Sequence, residues 1–477
     1  MSIPARVRAP GPGERLLAIT TLFLLAYSLP SSWFTVDNTD IPSGDATVIV
    51  VFTLLFAVAV TRLVGSWKHV ARAIRREPFL LAFMLLLVAS TAWSTTPDVT
   101  FRRSVALLLT TFFGYYLVVR FPLREIIGLA AVALMLGTVL NLVWIVAFRK
   151  YGITQVTTEA ATNGDWSGVF PHKNALGRSS ALSAVLFVFA ARAFPRRRVP
   201  YWGFVVLNVL MIVGANSKTA LVSFVLLMVL IALFTGLRAH ATLYGGVAFG
   251  LIGTSVLAAA FVTTNLGPIS ESLGRDVTLT GRTKLWGDVI HEIGRRPLLG
   301  FGWSGFWTGG NDGPARYVLQ RNVWNPPDAH NAVLELLVNV GIVGALLFLI
   351  VFFRALLRAV GTVRRQPNIL GLFPLAYLSL VLLQSVTEKG VLGRDLGWTM
   401  LVVAVVLCAR DRDEGRLIAP RISRPDRPSA PHEPAEFGSR AVDIATIETT
   451  SQPPIQATMH TDAAQPRRSF TVQRPPT

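Results

Sequence analysis

Long apolar runs constrain this chain more than any other feature. A hydrocarbon core of ~30 Å takes about 20 helical residues to cross. Inside it every backbone N–H and C=O must be satisfied by the protein, which leaves helices or a closed barrel. About twelve runs reach or approach that length, near 16–36, 46–64, 79–93, 104–119, 126–148, 175–194, 201–215, 219–235, 243–263, 331–353, 370–386 and 396–409. Hydrophobic residues fill 52% of the 477 positions and charged residues only 15%, away from the balance of a soluble domain. The expected fold is therefore all-α, a polytopic membrane helix bundle of about twelve transmembrane helices over residues 1–409. The first run continues through Tyr27 and Trp33 without a small-residue cleavage site, so it is expected to stay as a helix.

A net charge of +18 invites a nucleic-acid reading, which the distribution of the charge excludes. The basic residues follow the membrane. Short loops on one side hold Arg62, Lys68, Arg72, Arg75 and Arg76, then Arg120 and Arg124, then Arg192 and Arg196 to Arg198, then Arg354, Arg358, Arg364 and Arg365. The facing loop 37–45 has Asp37, Asp40 and Asp45 and no Lys or Arg. By the positive-inside rule the chain lies in the cytoplasmic membrane with both termini cytoplasmic. The lone Cys408 permits no intramolecular disulfide. From about Arg410 the chain is rich in Pro, Arg, Ser and Thr without apolar periodicity, and 410–477 is expected to be a disordered cytoplasmic tail.

On this topology two outward segments hold the candidate chemistry: 149–174 and one large extracytoplasmic loop at about 264–330. The second carries Arg275, Arg282, Lys284, Arg295, Arg296, Arg316 and Arg321 beside Trp286, Trp303, Trp307 and Trp324. Cations kept on the outer side point to an anionic partner. The tryptophans read either as membrane-interface anchors or as sugar-stacking platforms. In VFPHKNALGR (169–178), His172, Lys173 and Arg178 surround a helix entry, with Arg178 one turn inside an apolar run. An arginine there either snorkels or faces a wet cavity, and guanidinium matches phosphate oxygens. Lys218 opens another apolar run on the same side.

The stretch PPDAHNAVLELLVNVGIVG (326–344) is read as a helix starting near His330, with Asp328 as its cap. Asn331, Glu335 and Asn339 recur at four-residue spacing and form a polar stripe, while Gly341 and Gly344 would let another helix approach. His330 heads the stripe, either as a structural helix-start residue or as a proton acceptor.

HKNALGR (172–178), SKTA (217–220), TGRTKLW (280–286), RPLLGFGWSGFW (296–307) and His330-Asn331 followed at fixed spacing by Gly341 and Gly344 together resemble the O-antigen ligase and polysaccharide polymerase superfamily. The HKN-LG form is similar to its ExoQ-like exopolysaccharide polymerase branch. The likeness covers roughly 80–400. It implies a GT-C-like membrane glycosyltransferase that needs no cofactor or metal. The implied donor is an undecaprenyl-diphosphate-linked glycan on the outer membrane face, and the acceptor a glycan, glycolipid or protein. A chain-length regulator or flippase would be a further partner. Carried over by position, His330 corresponds to the family's proposed general base, and Arg178, Arg282, Lys218 and Lys173 to diphosphate-binding positions, with Asn331, Glu335 and His172 in support. Only one large outer loop is evident where some polymerases have two, so polymerase and ligase both stay open. A transporter or flippase of lipid-linked sugar is the alternative of another class.

Overall fold

The computed structural model describes residues 10–28, 46–154, 164–236, 280–322, 326–365, 368–386, 388–390 and 393–409. The tail, the expected span at 243–263 and the second half of the first span lie outside the described residues. The helices are α1 (Pro12–Tyr27), α2 (Ala46–Val64), α3 (Trp67–Arg76), α4 (Pro78–Ala89), α5 (Pro97–Arg120), α6 (Leu123–Ala147), α7 (Lys173–Ala193), α8 (Arg198–Gly214), α9 (Lys218–Gly236), α10 (Thr280–Arg295), α11 (Arg316–Arg321), α12 (Ala332–Arg365), α13 (Ile369–Ser385) and α14 (Leu396–Cys408). Among the described residues the pairing outside helices is a single bridge, Ile153 to Trp166.

Five of these helices, α2, α6, α7, α9 and α12, are long and apolar enough to cross a membrane. That is fewer than the sequence led us to expect. The other expected spans that are described fall on helices too short for the full hydrocarbon thickness, such as α1 with 16 residues and α8 with 17, or carrying arginines at the head, as α5 does.

The bundle packs α7 on α8, α1 on α6, α5 on α14, and α12 between α4 and α13. Its core contains the fully buried Trp398, Tyr116, Tyr377, Phe83 and Phe113. One end is held by ion pairs. Glu14 pairs with Arg120 at 2.8 Å and Arg62 at 3.8 Å, and the buried Glu77 ties α4 to Arg354 and Arg358 of α12. These are arginines that the sequence places on the cytoplasmic side.

The apolar run at 331–353 is not one continuous helix. Gly341 has φ 64° and ψ −168° and divides α12 into 332–340 and 342–365. A regular helix would bond the Ile342 and Val343 amides to the Val338 and Asn339 carbonyls. Instead the loop 297–302 enters the gap and bonds all four groups. Ile342 and Val343 donate to the carbonyls of Pro297 (2.8 Å) and Leu298 (3.2 Å), while Phe301 and Gly302 donate to those of Val338 (3.0 Å) and Asn339 (2.9 Å). Only glycine permits this approach. A Cβ on Gly341 would sit 2.2 Å from Leu298 O, and one on Gly300, also at φ 64°, 2.6 Å from the Asn339 carbonyl carbon. The expected helix contact at Gly341 is thus corrected to a loop contact. At Gly344 a Cβ would approach Leu86 of α4 at 3.4 Å, as a helix contact should.

Residues 280–330, where described, pack around Leu285, Val289, Phe301, Phe306, Ala315, Val318 and Ala329, joined by Val338 of α12. This small core fixes α10 and α11 over the head of α12. Gly341→Ala is expected to destabilise the fold by on the order of 2–4 kcal/mol, because it adds both backbone strain and a clash with main chain. Gly203→Ala, with open space around its Cβ, should stay within about 1 kcal/mol of the parent. Denaturant unfolding in detergent measures both.

Candidate active site

The turn before α12 is built by side chains that bond back to its own main chain. Asp328 Oδ1 accepts the His330 N–H at 3.0 Å, and His330 takes the left-handed conformation at φ 47°. Asn331 Oδ1 then accepts from the Val333 and Leu334 amides (3.0 and 3.1 Å), and its Nδ2 donates to Val386 O at 3.0 Å. The helix cap is therefore Asn331 and not Asp328, and α12 begins after His330. A left-handed non-glycine residue costs about 1–2 kcal/mol, and such strain gathers where geometry serves function.

Glu335 holds this turn from below. Its Oε2 accepts from Ala329 N–H (2.9 Å) and Trp307 Nε1 (3.0 Å), and its Oε1 from Asn339 Nδ2 (2.9 Å). Trp286 Nε1 donates to Ala329 O at 2.9 Å. Among the tryptophans of this segment, Trp286 and Trp307 clamp the His330 turn through their indole N–H groups, and Trp303 is buried. Trp324 lies outside the described residues.

Two carboxylates organise the charges around the turn. Glu388 takes Arg178 Nη1 on Oε2 at 3.1 Å and faces Arg282 Nη2 on Oε1 at 3.8 Å. Asp328 faces Lys389 Nζ at 3.3 Å and His330 Nδ1 at 3.7 Å. Arg178 from α7, Arg282 from α10, Glu388 and Lys389 after α13, and His330 before α12 thus meet at one end of the bundle. Arg178, Asn174, Ser217, Thr219 and Glu388 line a small cleft there. Gly177 explains how HKNALGR and SKTA come together, since a Cβ on it would lie 2.5 Å from Ser217 Cβ.

The remaining candidates stand at the edge. His172 caps α7, its Nδ1 accepting from Asn174 N–H at 3.1 Å, and it feels the charges of Arg178, Arg282 and Asp328. Lys173 is paired to Asp165 at 2.6 Å, so a local carboxylate offsets its charge. Lys218 is exposed at the head of α9, next to the lining residues Ser217 and Thr219. Three arginines of the segment 280–322 serve structure: Arg321 pairs with Asp288 (2.8 Å), Arg295 with Glu292 (3.0 Å), and Arg296 lies over Phe301. Glu388 and Lys389 were missed in the sequence. The signal was there in TEKG (387–390), which follows an apolar run.

Burial pushes the His330 imidazole down to about 4; Asp328 opposes this, and Arg282, His172 and Lys389 add to it. At neutral pH the ring is uncharged and can accept a proton. Burial raises the Glu388 carboxyl while Arg178 and Arg282 oppose it. Burial also works against the Asp328 charge, but Lys389 and His330 hold that carboxyl below its ordinary value.

The O-antigen ligase family model matches residues 203–349, a segment that includes Lys218, Arg282, His330, Asn331 and Glu335. The chain is also similar to the exopolysaccharide production protein ExoQ of Rhizobium meliloti (strain 1021), with 25% identity over 326 residues, covering 64% of this chain and 70% of that protein.

Replacing Glu335 by Ala leaves two donors, the Ala329 N–H and Trp307 Nε1, without their acceptor, both in the turn and loop that position His330. The expected loss is on the order of 3 kcal/mol of stability, with faster hydrogen exchange at the Ala329 amide. Unchanged exchange there would show that Glu335 does not hold the turn.

Proposed function

We propose that this chain is a member of the O-antigen ligase superfamily on its ExoQ-like side, a membrane glycosyltransferase that polymerises or transfers a lipid-linked glycan in exopolysaccharide or O-antigen biosynthesis. The observation that carries the reading is the meeting of a neutral, carboxylate-flanked His330 with two arginines, Arg178 and Arg282, at one end of the bundle. Clustering at that end favours an enzyme over a carrier, whose site would sit near mid-membrane.

In the proposed reaction the donor is an undecaprenyl-diphosphate-linked oligosaccharide on the outer face of the cytoplasmic membrane. An acceptor sugar hydroxyl attacks the anomeric carbon, and the bond from that carbon to the diphosphate oxygen breaks. His330 takes the hydroxyl proton, and the diphosphate leaves with the bonding electrons. A single displacement inverts the anomeric carbon. Arg178 and Arg282 offset the charge that grows on the leaving group, as a metal does elsewhere, and preorganised donors of this kind are worth a few kcal/mol of barrier each. Asp328 steadies the imidazolium that forms, with Lys389 fixing the carboxylate. Lys218 adds positive potential at the rim, whereas Asp165 offsets the charge of Lys173. Asn331 caps the helix, and His172 orders the entry to α7. The likeness of the HKN-LG form to the exopolysaccharide polymerase branch favours a polymerase, with a second lipid-linked unit as acceptor, over a ligase that uses a glycolipid or protein.

His330→Ala should lower turnover by ~10² to 10⁴ in reconstituted protein given lipid-linked donor, with the fold intact by thermal unfolding. Near-parental turnover would exclude His330 as base. Arg282→Lys keeps the charge and loses the planar fork, so the donor KM should rise roughly tenfold, about 1.4 kcal/mol.

The pH profile has a definite sign. The base works when neutral, and in the free protein it gains a proton only near pH 4. kcat/KM should therefore stay flat from about pH 7 to about pH 5 and fall below that. A bound diphosphate adds negative charge and raises the His330 pKa, so the acid limb of kcat should lie at higher pH than that of kcat/KM. Coincident limbs would argue against a diphosphate close to His330.

A further inference from the structure

At the end of the bundle away from His330, Arg120, Arg62, Arg354 and Arg358 pair with Glu14 and Glu77. Near the His330 end, three arginines without such a partner come together. Arg102 and Arg103 at the head of α5 and Arg394 just before α14 have no carboxylate within 4.0 Å among the described residues. Arg102 bonds only to Asp98 O of its own helix at 3.2 Å, and Arg103 makes one long bond of 3.4 Å to Ser304 O. Arg102 and Arg394 are exposed and Arg103 is half-buried.

Helix packing brings them together. α5 and α14 run side by side in the same direction: Trp398 Nε1 donates to Thr111 Oγ1 at 2.8 Å, and a Cβ on Gly114 would lie 2.6 Å from Val402 Cγ1. Arg103 and Arg394 both precede these contacts, at the same end, and their charges act on one another. The neighbouring Asp395 caps α14 through the Trp398 N–H at 2.9 Å and feels Arg178 and Lys389. The head of α14 therefore borders both this group and the Glu388 cluster. Like charges held close together repel, an anion between them offsets that repulsion, and guanidinium pairs suit phosphate oxygens.

We propose that Arg103 and Arg394, with Arg102 at the rim, form a second phosphate site that holds the diphosphate of a lipid-linked acceptor. This rests on the glycosyl-transfer reading and deepens it. The acceptor keeps its own diphosphate through the reaction, since only its sugar hydroxyl forms a bond. Two diphosphate sites would make both partners lipid-linked, which is polymerisation. A bulk phospholipid offers similar phosphate oxygens, so the test must separate the two sources.

The full chain in phosphatidylcholine nanodiscs is titrated with farnesyl diphosphate, and bound equivalents are counted by native mass spectrometry. The parent should bind two, Arg103→Gln and Arg394→Gln one each, and the charge-keeping Arg394→Lys two. One equivalent in the parent, or two in both Gln variants with folding verified by thermal unfolding, overturns the site. If phosphatidylglycerol displaces the second equivalent as effectively as unlabelled farnesyl diphosphate does, the site takes phospholipid headgroups and the acceptor assignment fails. In a parallel assay, the ratio of transfer to a diphosphate-linked acceptor over a methyl glycoside of the same glycan should fall about tenfold in Arg394→Gln. Two equivalents bound by a parent that transfers no glycan would overturn the glycosyltransferase reading and leave the second phosphate site standing.

Discussion

The interruption of α12 at Gly341 is the constraint on which the candidate site depends. Four main-chain groups that would have bonded within the helix bond instead to the loop 297–302. That loop belongs to the same small core as α10, and α10 carries Arg282. The broken helix therefore sets the height of the arginine relative to His330. Because main chain meets main chain, the placement tolerates little variation: a shift by one residue would leave buried amides unpaired, each costing about 1–3 kcal/mol.

Around that joint the polar residues fall into two groups with different work. Glu335, Asn331, Trp286 and Trp307 bond to main chain and to each other and hold the turn. His330, Asp328, Glu388, Lys389, Arg178 and Arg282 form an alternating set of charges, of which Arg178 and Glu388 line a small cleft. The first group has its hydrogen-bonding capacity largely filled inside the protein. The second holds three permanent cations against two carboxylates, which leaves it receptive to an anion.

The sequence shows membrane character through run length, and it shows which residues are chemically unusual through charges placed at the heads of apolar runs. Arg178 was legible in this way and Arg282 through the family-like TGRTKLW motif, and they share a carboxylate in the structure. The carboxylate itself was not legible. Glu388 is separated from Arg178 by 210 positions, and nothing local marks an acid after α13 as the partner of an arginine on α7. The capping of α12 was misjudged for a related reason. Asp328 and Asn331 are both good caps by type, and the choice turned on the left-handed backbone of His330, which periodicity does not report. The break at Gly341 was read as helix packing because a small residue gives the same sequence signal for either kind of close approach. The tryptophans looked peripheral because their partners, Ala329 O and Glu335, become neighbours only after the loop folds over α12.

Glu388 has a consequence for the timing of turnover. This side chain pairs with the two guanidinium groups that the proposed reaction assigns to the leaving diphosphate. An arriving donor must share or displace a resident carboxylate, so the net attraction is the difference between two anions competing for the same cations. The same competition works in reverse after transfer. On the proposed reaction, Glu388 would re-form its bridges as the carrier lipid leaves. A built-in rival of this kind would lower affinity for substrate and product alike.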